Sequence, residues 1–209
     1  MQVQNGAGAV VWAHTDERWF RAVNHVAQHT PWLHAPARVY AEDGVALFAV
    51  LLLWSWWRAR GAGDPRRMAA ALWAPVGALI AIGVNQLIGA AVAEPRPYTV
   101  LPHALVLVSR STDYSFPSDH AVMAGAVAAG VLLADRRLGF LAAALAVLMA
   151  LARVYVGAHF PLDVAAGLLV GAGVCVLSYL LVRPLLRWLI RVLERTPFRV
   201  FLTSAEAVS

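Results

Sequence analysis

Residues Leu138 to Val182 read LGFLAAALAVLMALARVYVGAHFPLDVAAGLLVGAGVCVLSYLLV. Only two charged groups, Arg153 and Asp163, interrupt this run, with His159 between them. On either side lie apolar stretches close to the ~20 residues that cross a bilayer core. The run therefore predicts two membrane spans, Leu138–Val156 and Leu162–Val182, joined by a short polar corner. Pro161 suits the first position of a helix, where its missing N–H costs nothing. Ionisable residues at such a place are expensive to hold and usually functional.

Three more apolar stretches precede the corner: Val39–Trp57, Met68–Ala93 and Ala121–Ala134. The third is short and must borrow length from its flanks. The 209 residues are 60% hydrophobic and 14% charged, with a mean hydropathy of +0.64. This balance excludes an ordinary soluble domain and a disordered chain. The expectation is an all-α, polytopic membrane helix bundle of about five transmembrane helices. It forms a single membrane-embedded domain over residues 1–209, with an interfacial N-terminal segment (1–38) and a basic cytoplasmic tail (183–209). Within the N-terminal segment, Trp19, Phe20, Val23 and Val26 recur at helical spacing. That pattern predicts an interfacial helix, or one packed on a loop, opening at Asp16 and Glu17. The start of the chain reads neither as a signal peptide nor as a lipidation motif.

All 17 basic residues are arginine, which excludes every mechanism that needs a lysine. The lone Cys175 excludes an internal disulfide and an iron–sulfur cluster. Eleven arginines fall on one side if the spans alternate: Arg58, Arg60, Arg66, Arg67, Arg136, Arg137, Arg183, Arg187, Arg191, Arg195 and Arg199. The positive-inside rule puts that side in the cytoplasm. Basic residues interleaved with spans speak for a lipid bilayer as partner and against nucleic acid. The tail repeats arginine every four residues, one basic helix face for anionic headgroups. Trp54, Trp56 and Trp57 read as an interfacial aromatic belt. Gly125, Gly130, Gly167, Gly171 and Gly173 allow close helix approach, including pairing of two copies as a homodimer.

Three polar islands share the opposite side: Glu94-Pro95-Arg96-Pro97-Tyr98, Ser115-Phe116-Pro117-Ser118-Asp119-His120, and Arg153 with His159 and Asp163. Each residue has a task if the substrate is a phosphate. Arg96 and Arg153 can make paired, charge-assisted bonds to phosphate oxygens. Pro97 stiffens the backbone after Arg96. Ser118 and the free N–H groups of a helix opening there can cradle an anion. His120 suits a general acid. Asp163 follows His159 by four residues, so the two meet if that segment is helical, and a carboxylate there would leave the other imidazole nitrogen nucleophilic.

Together the islands resemble the type 2 phosphatidic-acid phosphatase superfamily, in its integral-membrane branch. Arg96-Pro97 match the Arg-Pro that ends the first family motif. Pro117-Ser118-Asp119-His120 match Pro-Ser-Gly-His, with Asp119 for glycine. Ala152, Arg153, His159 and Asp163 match the third motif, with alanine for serine. The resemblance spans roughly residues 85 to 170. Pro-Arg-Pro-Tyr and Ser-Phe-Pro-Ser-Asp-His are similar to the bacterial undecaprenyl-diphosphate phosphatases of that superfamily. The family lysine falls at Gly89, so the pocket lacks one positive charge. Arg110 is the first candidate to supply it, and His103 a weaker one.

The resemblance implies His159 as nucleophile, Asp163 as its orienting carboxylate and His120 as acid and then base. It implies Arg96, Arg153, Ser118, Asp119, Pro97 and Arg110 around the substrate, with no metal and no cofactor. The implied reaction removes the terminal phosphate of a polyprenyl diphosphate, outside the bacterial cytoplasmic membrane, through a phosphohistidine. Alternatives are a phosphatase of phosphatidic acid, phosphatidylglycerol phosphate or another lipid phosphate, and a non-catalytic lipid-binding or transport protein. Glu94 has no assigned task.

Overall fold

The computed structural model describes the backbone of residues 4–203 and the side chains of residues 14–203. Every element among these residues is helical. Helix α1 runs over Gln4–His29, α2 over His34–Asp43, α3 over Val45–Ala62 and α4 over Pro65–Val92. The short α5, Pro97–Val100, precedes a loop that leads to α6, Asp119–Ala134. Helices α7, Arg136–Tyr155, and α8, Pro161–Leu193, complete the bundle.

All five apolar stretches are helices. Three, α4, α7 and α8, are long and apolar enough to cross a membrane. The first stretch passes that test only as the α2–α3 pair, which bends by 54°. The break falls at Gly44, inside the span expected from Val39, so that span is not one straight helix. Helix α6 has only 16 residues, or about 24 Å at 1.5 Å per residue, short of the ~30 Å core.

Helix α6 is the hub, packed between α4, α7 and α8. Its contact with α8 is tight because glycines remove side chains at the crossing. A Cβ on Gly125 would strike the Leu168 backbone, and one on Gly171 the Val122 carbonyl. Gly167 meets Ser118 and Ala121 in the same way, and Gly130 faces Ala74 of α4. Gly173 departs from the expectation: a Cβ there would meet nothing. Phe48, Val122, Val127, Val131 and Met149 fill the core at the centre.

The arginines segregate as expected. Arg58, Arg66, Arg67, Arg136, Arg137 and Arg187 surround one cavity at the end where α3, α6 and α8 finish. Arg58 pairs with Asp135 there. The tail is not a separate amphipathic helix: α8 continues through Pro184, and Ile190 packs with Met68, Tyr179 and Leu202. Trp54 and Trp57 are exposed, but Trp56 donates to the Phe201 carbonyl at 3.0 Å and so anchors the tail.

The N-terminal helix departs from its reading in where it starts, while its packing on a loop is one of the two expected arrangements. It begins well before Asp16, so Asp16 and Glu17 do not open it. Asp16 is buried and caps a different helix: its Oδ1 accepts from the Leu162 N–H at 3.0 Å, in the first turn of α8. Phe20 packs edge-on against Phe160 at 5.4 Å. Asn24 accepts from the Leu105 N–H and donates to its carbonyl. Helix α1 thus clamps the polar corner and the loop before α6.

Candidate active site

The site lies at the end of the bundle opposite the arginine cluster. It is built by the α4–α5 turn, the loop into α6, the end of α7 and the loop 156–160.

His159 is carried by that last loop and is 2% exposed. Gly157 makes the turn possible, with φ at +80° and a Cβ position that would strike the Leu105 carbonyl. Only glycine adopts this conformation freely, and only glycine fits here. The Ala158 N–H donates back to the Arg153 carbonyl at 3.1 Å, which folds the loop over the end of α7.

The two nitrogens of His159 are distinguished by their partners. Nδ1 lies 2.9 Å from the Ser115 carbonyl oxygen. A carbonyl only accepts, so Nδ1 carries the proton and Nε2 presents its lone pair. That lone pair faces Arg96 at 3.2 Å and Arg153 at 3.3 Å. Burial pushes the imidazole below its usual pKa; Asp163 opposes this, and Arg153 and Arg96 add to it. An unprotonated Nε2 held between two guanidinium groups has the chemistry of a nucleophile, at a place with the charge to attract an anion.

Asp163 is adjacent but does not hold His159 in the expected way. Its Oδ2 is 3.5 Å from Nδ1. Closer partners of that oxygen are the Ser115 hydroxyl at 2.5 Å and the Phe160 N–H at 2.8 Å. The reason is local. Helix α8 starts at Pro161, after His159, so the two residues are not on one helical turn. Asp163 instead turns back to cap its own helix and grips Ser115, whose carbonyl in turn orients His159. Ser115 was legible only as part of a polar island.

Arg96 enters from the turn after α4, with Pro97 as the first residue of α5. It donates to the Ala158 and Asp113 carbonyls and pairs with the Asp113 carboxylate at 3.3 Å. Arg153 donates to the Ala41 carbonyl at 3.2 Å, and its Nε has no partner. Ser118 is the cap of α6; it is fully buried and its hydroxyl has no partner. Its N–H donates to the Asp163 carbonyl at 3.1 Å. His120 is half-buried in the first turn of α6 and shares a cavity of about 310 Å³ with Arg96, Arg153, His159 and Asp119.

Two expectations fall elsewhere. Arg110 is exposed, stacks over the Tyr98 ring at 5.6 Å and does not line this cavity. Asp119 lines it, but its carboxylate accepts from Asn85 at 2.7 Å and Gln86 at 2.9 Å of α4. Glu94 makes no bond to Arg96. Its backbone carbonyl accepts from the Ser115 N–H at 2.8 Å. Burial, then Asp163 and Asp16, raise its carboxyl pKa to about 7.

Sequence reasoning missed Glu42, Asp113 and Asn85. Asn85 had a visible signal, a polar amide inside an apolar span. Glu42 and Asp113 had none, since only the fold brings them to the cavity.

A family model for the PAP2 superfamily matches residues 70–187, which include both histidines, Arg96, Arg153 and Asp163. The chain belongs to the PAP2 superfamily. Among PAP2 proteins of known sequence it is 28% identical to the undecaprenyl-diphosphatase BcrC of Bacillus subtilis, over 84% of this chain and 90% of that one. It is 40% identical to the decaprenylphosphoryl-5-phosphoribose phosphatase of Mycobacterium tuberculosis, over 53% of this chain and 60% of that one. In three dimensions it is similar to a transmembrane PAP2 phosphatidylglycerolphosphate phosphatase of Bacillus subtilis. That match has a TM-score of 0.58 and 21% identity, covering 80% of this chain and 84% of the other. The fold of that PAP2 protein is thereby shared.

Proposed function

We propose that this PAP2 protein hydrolyses the terminal phosphate of a polyprenyl diphosphate at the outer face of the bacterial cytoplasmic membrane. The observation that carries the reading is His159 Nε2, unprotonated and flanked by Arg96 and Arg153 in a cavity that also holds His120. The terminal phosphate docks on the two arginines, which exchange their bonds to Nε2 for bonds to its oxygens. Ser118, expected at the phosphate, is fully buried and does not line this cavity, so it takes no part in the docking.

Nε2 attacks phosphorus in line, and the bond to the bridging oxygen breaks. His120 gives that oxygen a proton. The same His120 then takes a proton from water, which cleaves the phosphohistidine and releases inorganic phosphate. The Ser115 carbonyl and the nearby Asp163 carboxylate stabilise the positive imidazole while it carries phosphate. Arginines supply the charge neutralisation that phosphoryl transfer needs, so the reaction is metal-independent.

The arginine cluster at the far end supports an outward-facing site. A separate apolar groove of about 600 Å³, between α2, α7 and α8, supports a long hydrocarbon substrate; Ala152 and Val154 line it on either side of Arg153 in sequence. The relatives named for a phosphoribose substrate favour a second reading, in which the leaving group is an alcohol.

The deciding test is phosphate release from a prenyl diphosphate by purified protein, beside His159→Ala. Wild type is expected to turn over and to hold acid-labile, base-stable labelled phosphate, and the variant to do neither. A fully active variant removes the nucleophile assignment. An inactive wild type favours a lipid-binding or transport role.

A further inference from the structure

The end of the bundle opposite His159 holds a cavity of its own, about 560 Å³ in volume. That lies within the ~300–1,000 Å³ of ordinary ligand sites. Six guanidinium groups from four helices line it: Arg58 of α3, Arg66 and Arg67 of α4, Arg136 and Arg137 of α7, and Arg187 of α8. Membrane topology asks only for arginines in the loops at one end. Arg187 lies instead within α8, more than a turn before its end at Leu193. Of the arginine repeat in the tail, Arg187 alone lines the cavity.

The charges around this space do not balance. Beside the six arginines stand two carboxylates, Asp64 and Asp135, which leaves an excess of four positive charges. Both carboxylates are committed to helix starts. Asp64 caps α4 by accepting from the Arg66 N–H at 2.8 Å, and Asp135 caps α7 by accepting from the Leu138 N–H at 3.0 Å. Asp135 also pairs with Arg58, the one arginine of the six with an ion-pair partner among the described residues. The Arg187 Nε is buried and donates to nothing. A buried charged N–H without an acceptor is costly, and like charges around one space repel. An anion with several acceptor oxygens removes both costs. Phosphate does so best, because guanidinium groups meet it with paired, charge-assisted bonds.

The wall has an apolar part as well. Leu132 and Leu133, at the end of α6, line the cavity and are 37% and 40% exposed. A free phosphate gains nothing from them, whereas an acyl chain does. Basic pockets between membrane helices suit lipid headgroups for this reason.

We propose that this cavity binds the headgroup of an anionic membrane lipid, one carrying two phosphates. The phosphates lie among the arginines, and the acyl chains run along Leu132 and Leu133. A soluble diphosphate shares the headgroup's chemistry; the leucines assign the site to the lipid. The inference stands apart from the phosphatase reading, since no residue of this cavity lines the one at His159.

The test uses the full-length protein, delipidated in detergent micelles and titrated with cardiolipin, phosphatidylglycerol or phosphatidylcholine, with binding read by native mass spectrometry. Wild type is expected to hold cardiolipin at least ten-fold more tightly than phosphatidylcholine, with phosphatidylglycerol between them. Arg66→Gln combined with Arg137→Gln should weaken cardiolipin binding at least ten-fold. Arg183→Gln combined with Arg195→Gln removes the same charge outside the cavity and should change it less than three-fold. Arg67→Gln combined with Arg136→Gln serves if the first pair does not fold, judged by its melting curve. In a parallel arm, inorganic pyrophosphate should raise the melting midpoint less than cardiolipin does at the same concentration. Equal weakening by the cavity pair and the outer pair, or equal affinity for cardiolipin and phosphatidylcholine, would overturn the site. A pyrophosphate shift as large as that of cardiolipin would overturn the lipid as its ligand, and equal affinity for cardiolipin and phosphatidylglycerol the two-phosphate headgroup.

Discussion

Asp163→Asn isolates the charge of the carboxylate behind His159. The geometry makes it a clean substitution. The amide oxygen of asparagine can still accept from Phe160 N–H and the Ser115 hydroxyl, the two close partners of Oδ2. The amide nitrogen takes the place of Oδ1, which has no partner. The loop and the helix cap therefore survive, and only the charge is lost. That charge lies 3.5 Å from Nδ1. At this separation and an effective dielectric of about 20, unit charges interact by ~5 kcal/mol. With roughly half of the positive charge developed on the imidazole in the transition state, ~2.5 kcal/mol is lost, about a 10²-fold fall in kcat. The assay is phosphate release at saturating prenyl diphosphate, with a melting curve to verify folding. A fall of less than about five-fold, in a protein that melts like wild type, would refute the electrostatic role of Asp163 and leave it a purely structural cap.

Other outcomes follow from the same geometry. Activity is expected to persist in EDTA, since Arg96 and Arg153 meet the phosphate charge; loss restored by magnesium would contradict this. Asp16 is buried, which raises its pKa from 3.8 to about 6 against the opposing bond from Leu162. The folded state thus holds the proton more tightly, and stability falls as pH rises from about 4 to 6. Asp16→Asn keeps an acceptor for Leu162 and removes the charge, so at pH 7.5 it should stabilise by roughly 1–3 kcal/mol. The gain in melting midpoint should vanish below about pH 4. Gly171→Ala pushes a Cβ into the Val122 carbonyl and should cost ~1–3 kcal/mol, read as a lower midpoint in detergent.

Much of the site was local information. Arg96-Pro97, the Ser118-Asp119-His120 entry to a helix, and the spacing of Arg153, His159 and Asp163 are each set within a few residues. What failed was contact across elements. The expected bond between Asp163 and His159 assumed one continuous helix, but α8 begins at Pro161 and Ser115 comes between the two side chains. Asp16 read as the start of its own helix because its apolar neighbours recur from there. Its partner Leu162 is far along the chain and leaves no trace nearby. Arg110 was proposed on charge count alone, and the loop directs it onto Tyr98 instead.

By itself, the amino-acid sequence determined the helical membrane class, the end at which arginines gather and the residue types of the candidate site. These follow from the cost of moving charges and unpaired peptide groups into hydrocarbon, which acts residue by residue. Tertiary structure alone decided which atoms face one another. It gave His159 its tautomer through Ser115, set Asp16 on α8 and drew arginines of four helices around one cavity. Hydrogen bonds and cavities depend on distances of a few tenths of an ångström between remote segments, and only the packed bundle sets these.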